Sequence, residues 1–205
     1  MPARSKRVFF DDFAFVVDEN VYEPAEDSLL FAENLAVQEG ERVLDMGTGC
    51  GILGIIAAKK ARDVVAVDIN PYAVRCAREN AELNNVRSKI TFVQGDLFTF
   101  LSEKAKFDLI LFNAPYLPAD EREADSWIER AWAGGVTGRV IIDRFIPDAA
   151  KHLQPTGCIL LMQSTLADVD TTLTKFKEYD LTASVIADAA LPFFEIITLI
   201  KAKEL

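Results

Sequence analysis

The chain has 205 residues, half of them hydrophobic, which suits one domain with a sizeable core. Its formal net charge of −10 argues against non-specific binding of nucleic acid, because such binding depends on an excess of Lys and Arg. No apolar run is long enough to span a bilayer and no signal peptide is recognisable, so we expect a cytoplasmic protein without a membrane partner. Three scattered cysteines and one histidine argue against a disulfide framework and against a zinc or other metal site.

Predicted strands and helices alternate along the chain from residue 41 onward. The strands are predicted at 41–46, 63–69, 89–96, 107–113, 157–164, 181–188 and 193–202, and the helices at 51–61, 71–85, 138–154 and 167–180. This alternation predicts an α/β fold, with a Rossmann-like doubly wound sheet of seven mostly parallel strands. The last two strands are joined by a short turn, so one of them is expected to lie antiparallel near the edge of the sheet. In such sheets, ligands bind beyond the carboxyl ends of the strands.

A glycine-rich turn, DMGTGCGILG, follows the first of these strands. Gly49, Gly51 and Gly54 match the G-x-G-x-x-G pattern of dinucleotide-binding turns, which alone is a weak signal. Asp45 precedes the turn, and its carboxylate would repel a pyrophosphate but favour a cationic ligand such as S-adenosylmethionine. Glycines in the turn would let the backbone approach such a ligand closely.

The next two strands also end in an acid. Asp68 lies 23 residues after Asp45, near the usual offset of a residue that binds ribose hydroxyls. Asp96 follows the third strand, where a carboxylate or the backbone can meet an adenine amino group. Ile69 and Leu97 could sandwich the adenine ring. One strand-end acid is common turn chemistry, but acids at three successive strand ends predict binding of a cofactor.

These features resemble the class I S-adenosylmethionine-dependent methyltransferases, and the resemblance covers residues 41–202. It implies that the cofactor is S-adenosyl-L-methionine, that Asp68 holds its ribose, and that Asp96 and Leu97 contact its adenine. It also implies that three glycines line the methionine part of the cofactor: Gly47, Gly49 and Gly51.

The fourth predicted strand ends in Asn113, Ala114, Pro115 and Tyr116, although Asn and Pro are poor strand residues. This run resembles the Asn-Pro-Pro-Tyr motif of methyltransferases that act on a planar nitrogen, with Ala114 in place of the first proline. In this scheme the Asn113 side-chain oxygen and the Ala114 carbonyl accept the two hydrogens of an amide or exocyclic amine. Pro115 keeps Ala114 extended, and Tyr116 can stack on the flat target group.

The segment 21–35, VYEPAEDSLLFAENL, resembles the corresponding segment of the HemK-like glutamine methyltransferases. The resemblance is to their short eukaryotic and archaeal branch, which acts on class-1 translation release factors. A Gly-Gly-x-x-Gly-Arg run within 131–147 also looks like that branch. The resemblance implies that the N-terminal segment covers the cofactor, with Ser28 touching the methionine part and with Tyr22 and Pro24 among the matching residues.

We therefore expect one methyltransferase domain over 1–205, with an N-terminal extension at 1–42 that covers the cofactor and a catalytic core at 43–205. The expected reaction is N5-methylation of the glutamine in a Gly-Gly-Gln loop of a class-1 release factor. The resemblance also implies a small zinc-binding activator subunit as a candidate partner. Apolar residues at 9–17 could serve that partner or form a core strand. The acidic segment 120–130 would receive a basic protein loop better than a phosphate backbone, or it is simply solvated surface.

Three other functions stay open at this point. An adenine-N6 or guanine-N2 methyltransferase of DNA or RNA would share the chemistry of Asn113 but needs a basic path for its substrate. A methyltransferase-like scaffold without turnover would account for Ala114. A nicotinamide dehydrogenase fits the glycines but leaves Asp45 and the Asn113–Tyr116 motif unexplained.

Overall fold

The structure is a computed structural model that describes residues 6–119 and 126–204. Its strands are β1 (Lys6–Phe10), β2 (Phe13–Val17), β3 (Arg42–Met46), β4 (Asp63–Asp68), β5 (Ile90–Gln94), β6 (Phe107–Asn113), β7 (Leu153–Ser164), β8 (Leu181–Ala190) and β9 (Ile196–Glu204). Its helices are α1 (Glu26–Glu33), α2 (Ile52–Ala57), α3 (Pro71–Leu83), α4 (Trp127–Trp132), α5 (Val140–His152) and α6 (Val169–Glu178).

Seven of the described strands form one sheet in the order β5-β4-β3-β6-β7-β9-β8, while β1 and β2 form a separate hairpin. The pairs β3/β4, β4/β5 and β6/β7 are parallel, whereas β9 runs antiparallel to both β7 and β8. The predicted Rossmann-like, mostly parallel sheet with one antiparallel strand near its edge is therefore confirmed. None of the described helices is long and apolar enough to cross a membrane.

The chain divides into two compact units, Met1–Phe100 and Leu101–Leu205. In the first unit, β3 and β4 are buried along most of their length, as continuous apolar runs require. Helix α3 begins at Pro71, whose missing N–H does no harm in a first turn. The Asn70 side chain caps this helix by accepting a hydrogen bond from the Tyr72 amide at 2.9 Å. A single catalytic core over 43–205 stays a prediction.

Asn80 of α3 and Asn84, the residue that follows the helix, hold the N-terminal hairpin. Asn80 accepts a hydrogen bond from the Val16 amide at 2.8 Å and donates one to the Val16 carbonyl at 2.9 Å, as a neighbouring strand would. One helical turn further on, Asn84 makes the same pair of bonds with Ala14, at 3.1 and 2.8 Å. The spacings match because residues four apart share a helix face and alternate strand residues present their backbone groups to the same edge. The apolar segment at 9–17 therefore belongs to a hairpin held by α3 and not to the main sheet.

In the second unit, the buried strands β6 and β7 are packed against α5. The rings of Phe112 on β6 and Phe145 on α5 have centroids 4.5 Å apart, and both side chains are buried. Helix α5 runs through Pro147 and ends at His152, where Nδ1 lies 2.7 Å from the Ala105 carbonyl oxygen. The His152 ring is thus engaged with a neighbouring loop.

The structure differs from the sequence-based elements mainly at two places in the second unit. Strand β7 begins at Leu153, immediately after α5, whereas the sequence predicts its start at 157. Helix α4 is not predicted at all, although Ser126 and Glu129 form a capping box at its start, with each side chain bonded to the other's backbone amide. Of the acidic segment at 120–130, residues 120–125 lie outside the described residues, so its proposed role is not tested.

Candidate functional site

The glycine-rich turn between β3 and α2 uses backbone conformations that glycine adopts readily. Gly47, Gly49 and Gly51 have φ angles of 65°, 56° and 91°. A Cβ at Gly51 would lie 2.9 Å from Cδ1 of Ile55 and 3.0 Å from Cβ of Ala77, so this glycine lets α2 and α3 pack closely. A Cβ at Gly49 would meet no atom of the described residues within 4 Å. Gly49 therefore borders open space, in which a ligand can approach its backbone.

The carboxylate of Asp45 lies beneath this turn. Its Oδ2 accepts hydrogen bonds from Thr48 Oγ1 at 2.5 Å and from the Gly54 amide at 3.0 Å. A Cβ at position 54 would lie 2.7 Å from this oxygen, which accounts for the last glycine of the turn. Burial raises the pKa of Asp45 to about 7, and the negative charge of Asp68 adds to the rise, while the Thr48 and Gly54 bonds oppose it. Asp45 thus shapes the turn from inside the protein.

At the end of β4, the Asp68 carboxylate accepts two backbone amides. Oδ2 accepts a hydrogen bond from the Gly49 amide at 2.9 Å, and Oδ1 accepts one from the Asn70 amide at 2.9 Å. Burial raises the pKa of Asp68, although these bonds oppose the shift. The carboxylate ties the glycine-rich turn to the strand end. Its oxygens have further lone pairs with which to accept ligand hydroxyls.

The ends of β4 and β5 are joined, because the Gly95 amide donates to the Asp68 carbonyl at 3.0 Å. Asp96 and Leu97 follow directly and are half-buried, and Leu97 adopts a φ of 47° that is uncommon for a residue with a Cβ. Ile69 is 51% exposed, so its side chain is available to a flat ring. The structure thus brings the four residues predicted to contact adenine and ribose to adjacent strand ends of the first unit: Asp68, Ile69, Asp96 and Leu97.

The segment before α1 is organised around one carboxylate. The Tyr22 hydroxyl donates to Oδ1 of Asp27 at 3.3 Å, and the same oxygen accepts the Ser28 amide at 2.6 Å. The Asn20 carbonyl just upstream accepts a hydrogen bond from the Asn70 side chain at 2.8 Å, which ties the segment to the end of β4. Ser28 is buried and the other two predicted contact residues are half-buried: Tyr22 and Pro24. That this segment covers a cofactor stays a prediction.

In the second unit, the planar-nitrogen motif follows β6 directly. Asn113 is the last residue of β6 and lies opposite Met162 of β7, whose carbonyl accepts the Ala114 amide at 3.4 Å. Oδ1 of Asn113 is buried, so a hydrogen bond that it accepts lies in a low-dielectric setting, where such bonds are stronger. Pro115 is half-buried, but Tyr116 is only 8% exposed. In this conformation little of the Tyr116 ring is open for stacking on a target.

The residues after the motif are held by backbone hydrogen bonds from the end of α4 and the turn beyond it. The Leu117 amide donates to the Trp132 carbonyl at 2.9 Å, and the Gly134 amide donates to the Leu117 carbonyl at 2.8 Å. Further along, the Ala119 amide donates to the Gly135 carbonyl at 3.0 Å. Backbone hydrogen bonds therefore hold the loop that carries the motif.

Sequence reasoning misses several residues that shape these two regions. The Thr48 side chain donates to Asp45 within the turn, and the Asn70 side chain donates to the Asn20 carbonyl and caps α3 next to the strand end, but threonine and asparagine are too common in turns to be recognised beforehand. Gly138 and Arg139 belong to a run that was noticed only through its family resemblance. No group of three His, Cys, Asp or Glu side chains in the described part of the chain could hold a metal ion.

The comparisons with known proteins agree with this architecture. The profile of the methyltransferase small domain family matches residues 17–185, and the chain belongs to this family. A putative protein N5-glutamine methyltransferase from Methanocaldococcus jannaschii is 44% identical over 181 residues, which cover 87% of this chain and 90% of that protein. Methyltransferase HEMK2 of Homo sapiens is 36% identical over 154 residues, or 70% of this chain and 71% of that protein. The resemblance to the HemK-like methyltransferases is therefore confirmed.

Solved structures show the same fold at lower sequence identity. The E. cuniculi Mtq2-Trm112 complex, which is responsible for methylation of the termination factor eRF1, has a TM-score of 0.67 at 24% identity and covers 91% of this chain and 99% of that chain. A T. thermophilus 16S rRNA N2 methyltransferase in complex with AdoMet and guanosine has a TM-score of 0.72 at 21% identity, over 99% of this chain and 50% of that chain.

Proposed function

We propose that this protein transfers a methyl group from S-adenosyl-L-methionine to the N5 nitrogen of the glutamine in a Gly-Gly-Gln loop of a class-1 translation release factor. The observation that carries the proposal is the run Asn113–Tyr116 at the end of a parallel strand, in a chain whose relatives are named protein or release factor glutamine methyltransferases. The reaction would take place in the cytoplasm, where translation factors act.

The first unit supports the choice of cofactor. The open space at Gly49 suits close approach of a small charged group, and the Asp68 carboxylate has lone pairs for ribose hydroxyls. Ile69 is half-exposed and Leu97 is half-buried, and the two would pack against a flat adenine ring, with Asp96 next to Leu97 in the chain. The carboxylates of Asp68 and Asp96 at the strand ends favour a positively charged ligand. When bound, S-adenosylmethionine supplies a methyl group activated by a positive sulfur.

The second unit supports the choice of a planar nitrogen. A glutamine amide nitrogen is a poor nucleophile because its lone pair is delocalised into the carbonyl group. Asn113 Oδ1 and the Ala114 carbonyl would accept its two N–H hydrogens and so fix the direction of the lone pair. Such orientation can lower a barrier by about 7–11 kcal/mol without a strong base. The methylated nitrogen is acidic and loses one proton to water.

The proposed partners are two proteins. The first is the release factor itself, whose exposed and basic loop would be attracted by a chain of net charge −10. The second is a small zinc-binding activator subunit. Its support is that the E. cuniculi structure with the same fold is a complex of two proteins, Mtq2 and Trm112.

A labelling experiment tests the function directly. S-adenosylmethionine with a labelled methyl group is incubated with the protein and, in parallel, with a class-1 release factor, DNA or RNA, each with and without the activator. We expect label on the release factor, located by mass spectrometry on the loop glutamine, and no label on a factor whose loop glutamine is alanine. Label on a nucleic-acid base instead would keep the chemistry at Asn113 and reject the protein substrate. Cofactor binding without any labelled product would favour a scaffold.

A further inference from the structure

The turn between α4 and α5 touches the motif backbone more closely than a side chain would permit. Gly138 has a φ of 71°, and a Cβ on it would lie 2.3 Å from the Tyr116 carbonyl oxygen. The same Cβ would lie 3.3 Å from Cβ of Ala167, so it has no direction in which to move away freely. The Tyr116 peptide therefore rests directly on the α-carbon of Gly138.

The turn is itself compact and closed by hydrogen bonds. The Gly138 amide donates to the Gly135 carbonyl at 2.9 Å, and the Val140 amide donates to the Gly134 carbonyl at 2.9 Å. A Cβ at Gly134 would lie 2.5 Å from the Gly138 carbonyl oxygen, so a second glycine is needed for the turn to close. Since the Gly134 amide also donates to the Leu117 carbonyl, the turn contacts two successive carbonyl groups, those of Tyr116 and Leu117.

Arg139 anchors the turn to the start of α6. Its guanidinium is buried, and Nη1 donates to the carbonyls of Ala167 and Asp168 and to Thr172 Oγ1, the last two at 2.7 and 2.8 Å. Nη2 donates to Asp143 at 2.9 Å. The two N–H groups of Nη1 are shared among its three acceptors while Nη2 binds Asp143, and the planar guanidinium holds these acceptors in a fixed geometry that a lysine ammonium on its flexible stem holds less rigidly.

The anchor extends into the sheet. Thr172 Oγ1 donates to Oε1 of Gln163 at 2.6 Å, and Gln163 is a fully buried residue of β7, the strand that pairs with β6. Side-chain hydrogen bonds thus lead from the sheet through α6 to Arg139. The preceding residue, Gly138, contacts the Tyr116 peptide.

We infer that Gly138 and Arg139 are positioning residues for the proposed methyl transfer: Arg139 sets the place of Gly138, and Gly138 sets the place of the Tyr116 peptide and of the Asn113–Ala114 acceptors that precede it. The inference rests on the proposed function of that motif. Neither residue touches the substrate. Their effect comes through the orientation of the two acceptors, which is the part of the reaction that the protein supplies.

The first test compares Gly138→Ala with Gly40→Ala in the protein with its activator. Both glycines have positive φ angles, 71° and 84°, but a Cβ at Gly40 meets no atom of the described residues within 4 Å. The two variants therefore share the backbone strain and differ in the contact with Tyr116. We expect Gly138→Ala to lower kcat about 10²-fold, as misplacement by about 1 Å can do, with cofactor Kd within twofold of wild type. Gly40→Ala should leave kcat unchanged.

The second test measures how much kcat depends on the hydrogen bonds of Arg139, by comparing Arg139→Lys with Arg139→Met. Relative to wild type, we expect kcat to fall about tenfold in the lysine variant and about 10²-fold in the methionine variant. The melting temperature of the lysine variant should stay near that of wild type. Arg7→Lys, at an exposed position of β1, is the control for the exchange itself. A purely structural arginine would instead lower the melting temperature and the cofactor affinity together, and would overturn the inference.

Amide hydrogen exchange gives a readout that does not need activity. The Leu117 and Ala119 amides are bonded to the chain beside the turn, and they should exchange faster in Gly138→Ala than in Gly40→Ala. Equal exchange in the two variants would overturn the inference even if wild type methylates no substrate. If wild type is inactive but exchange differs, the proposed function fails, while the contact by which Gly138 holds the Tyr116 peptide stands. If wild type is active and kcat is equal in the two glycine variants, the positioning role of Gly138 fails and the function stands.

Discussion

The glycine-rich turn of the first unit and the planar-nitrogen motif of the second are held in place by different means. The turn is held by side-chain carboxylates, since Asp45 and Asp68 accept backbone amides from it. The motif is held by peptide groups and by the bare α-carbon of Gly138. Gly49 faces open space, whereas Gly138 has no room for another atom. The turn should therefore respond to changes of charge and the motif to changes of shape.

The largest expected effect is on the motif. We expect Asn113→Ala to lower kcat by about 10²–10³-fold, the range seen when one preorganised hydrogen-bonding group is removed from an active site. Cofactor Kd, measured by calorimetry, should stay within a few-fold, since the cofactor contacts proposed for the first unit are unchanged. Near-normal turnover of this variant would show that the motif has been assigned wrongly.

The second prediction concerns charge beneath the turn. An unfolded Asp45 ionises near its ordinary pKa of 3.8, but the folded protein keeps it protonated up to about pH 7. Between these values the folded state binds more protons, so the contribution of Asp45 to stability falls as pH rises. Asp45→Asn removes this fall. Its free energy of unfolding relative to wild type should rise by roughly 2–4 kcal/mol from pH 4 to pH 7, at about 1.4 kcal/mol per unit.

Urea denaturation at a series of pH values measures this difference, with Asp12→Asn on the exposed hairpin turn as the control. A flat difference across the pH range would show that Asp45 titrates normally and that the turn does not depend on its buried carboxyl group.

The third prediction tests whether Asp68 of the first unit acts in cofactor binding and not in the reaction. Asp68→Ala leaves the Gly49 and Asn70 amides without their carboxylate acceptor and removes the proposed ribose partner. We expect cofactor Kd to rise roughly 30-fold, or about 2 kcal/mol, with a smaller effect on kcat at saturating cofactor. Fluorescence titration with S-adenosylhomocysteine measures the affinity. A loss of kcat at unchanged Kd would assign Asp68 to the reaction and not to binding.

The smallest effect is expected from filling the open space of the turn. Gly49→Ala and Gly40→Ala impose similar backbone strain, with φ angles of 56° and 84°, and neither added Cβ meets an atom of the described residues within 4 Å. We expect Gly49→Ala to weaken cofactor binding about tenfold because its methyl group occupies ligand space, and Gly40→Ala to leave Kd unchanged. Equal Kd values for the two variants would place the cofactor elsewhere.

Much of the fold could be predicted because local pattern and tertiary structure agree there. The strands ending at Asp68 and Asn113 are mostly apolar runs that end in a polar residue, and they lie within one residue of where the sequence predicts them. The short α4 was missed because six residues with only one clear cap carry little periodic signal. The sequence does not distinguish a core role from a partner-binding role for the hairpin, since its anchors Asn80 and Asn84 lie more than sixty residues away in the chain.

Local sequence pattern predicts the α/β alternation, the strand-end acids and the run Asn113–Tyr116, because strand ends and turns depend on the residues at those positions. It also indicated the family to which the chain belongs. The packing of distant segments places Asp45 under the turn, leaves open space at Gly49 but none at Gly138, and brings Arg139 to the start of α6. These are distances between residues far apart in the chain, and they depend on how the packed elements meet and not on any local preference.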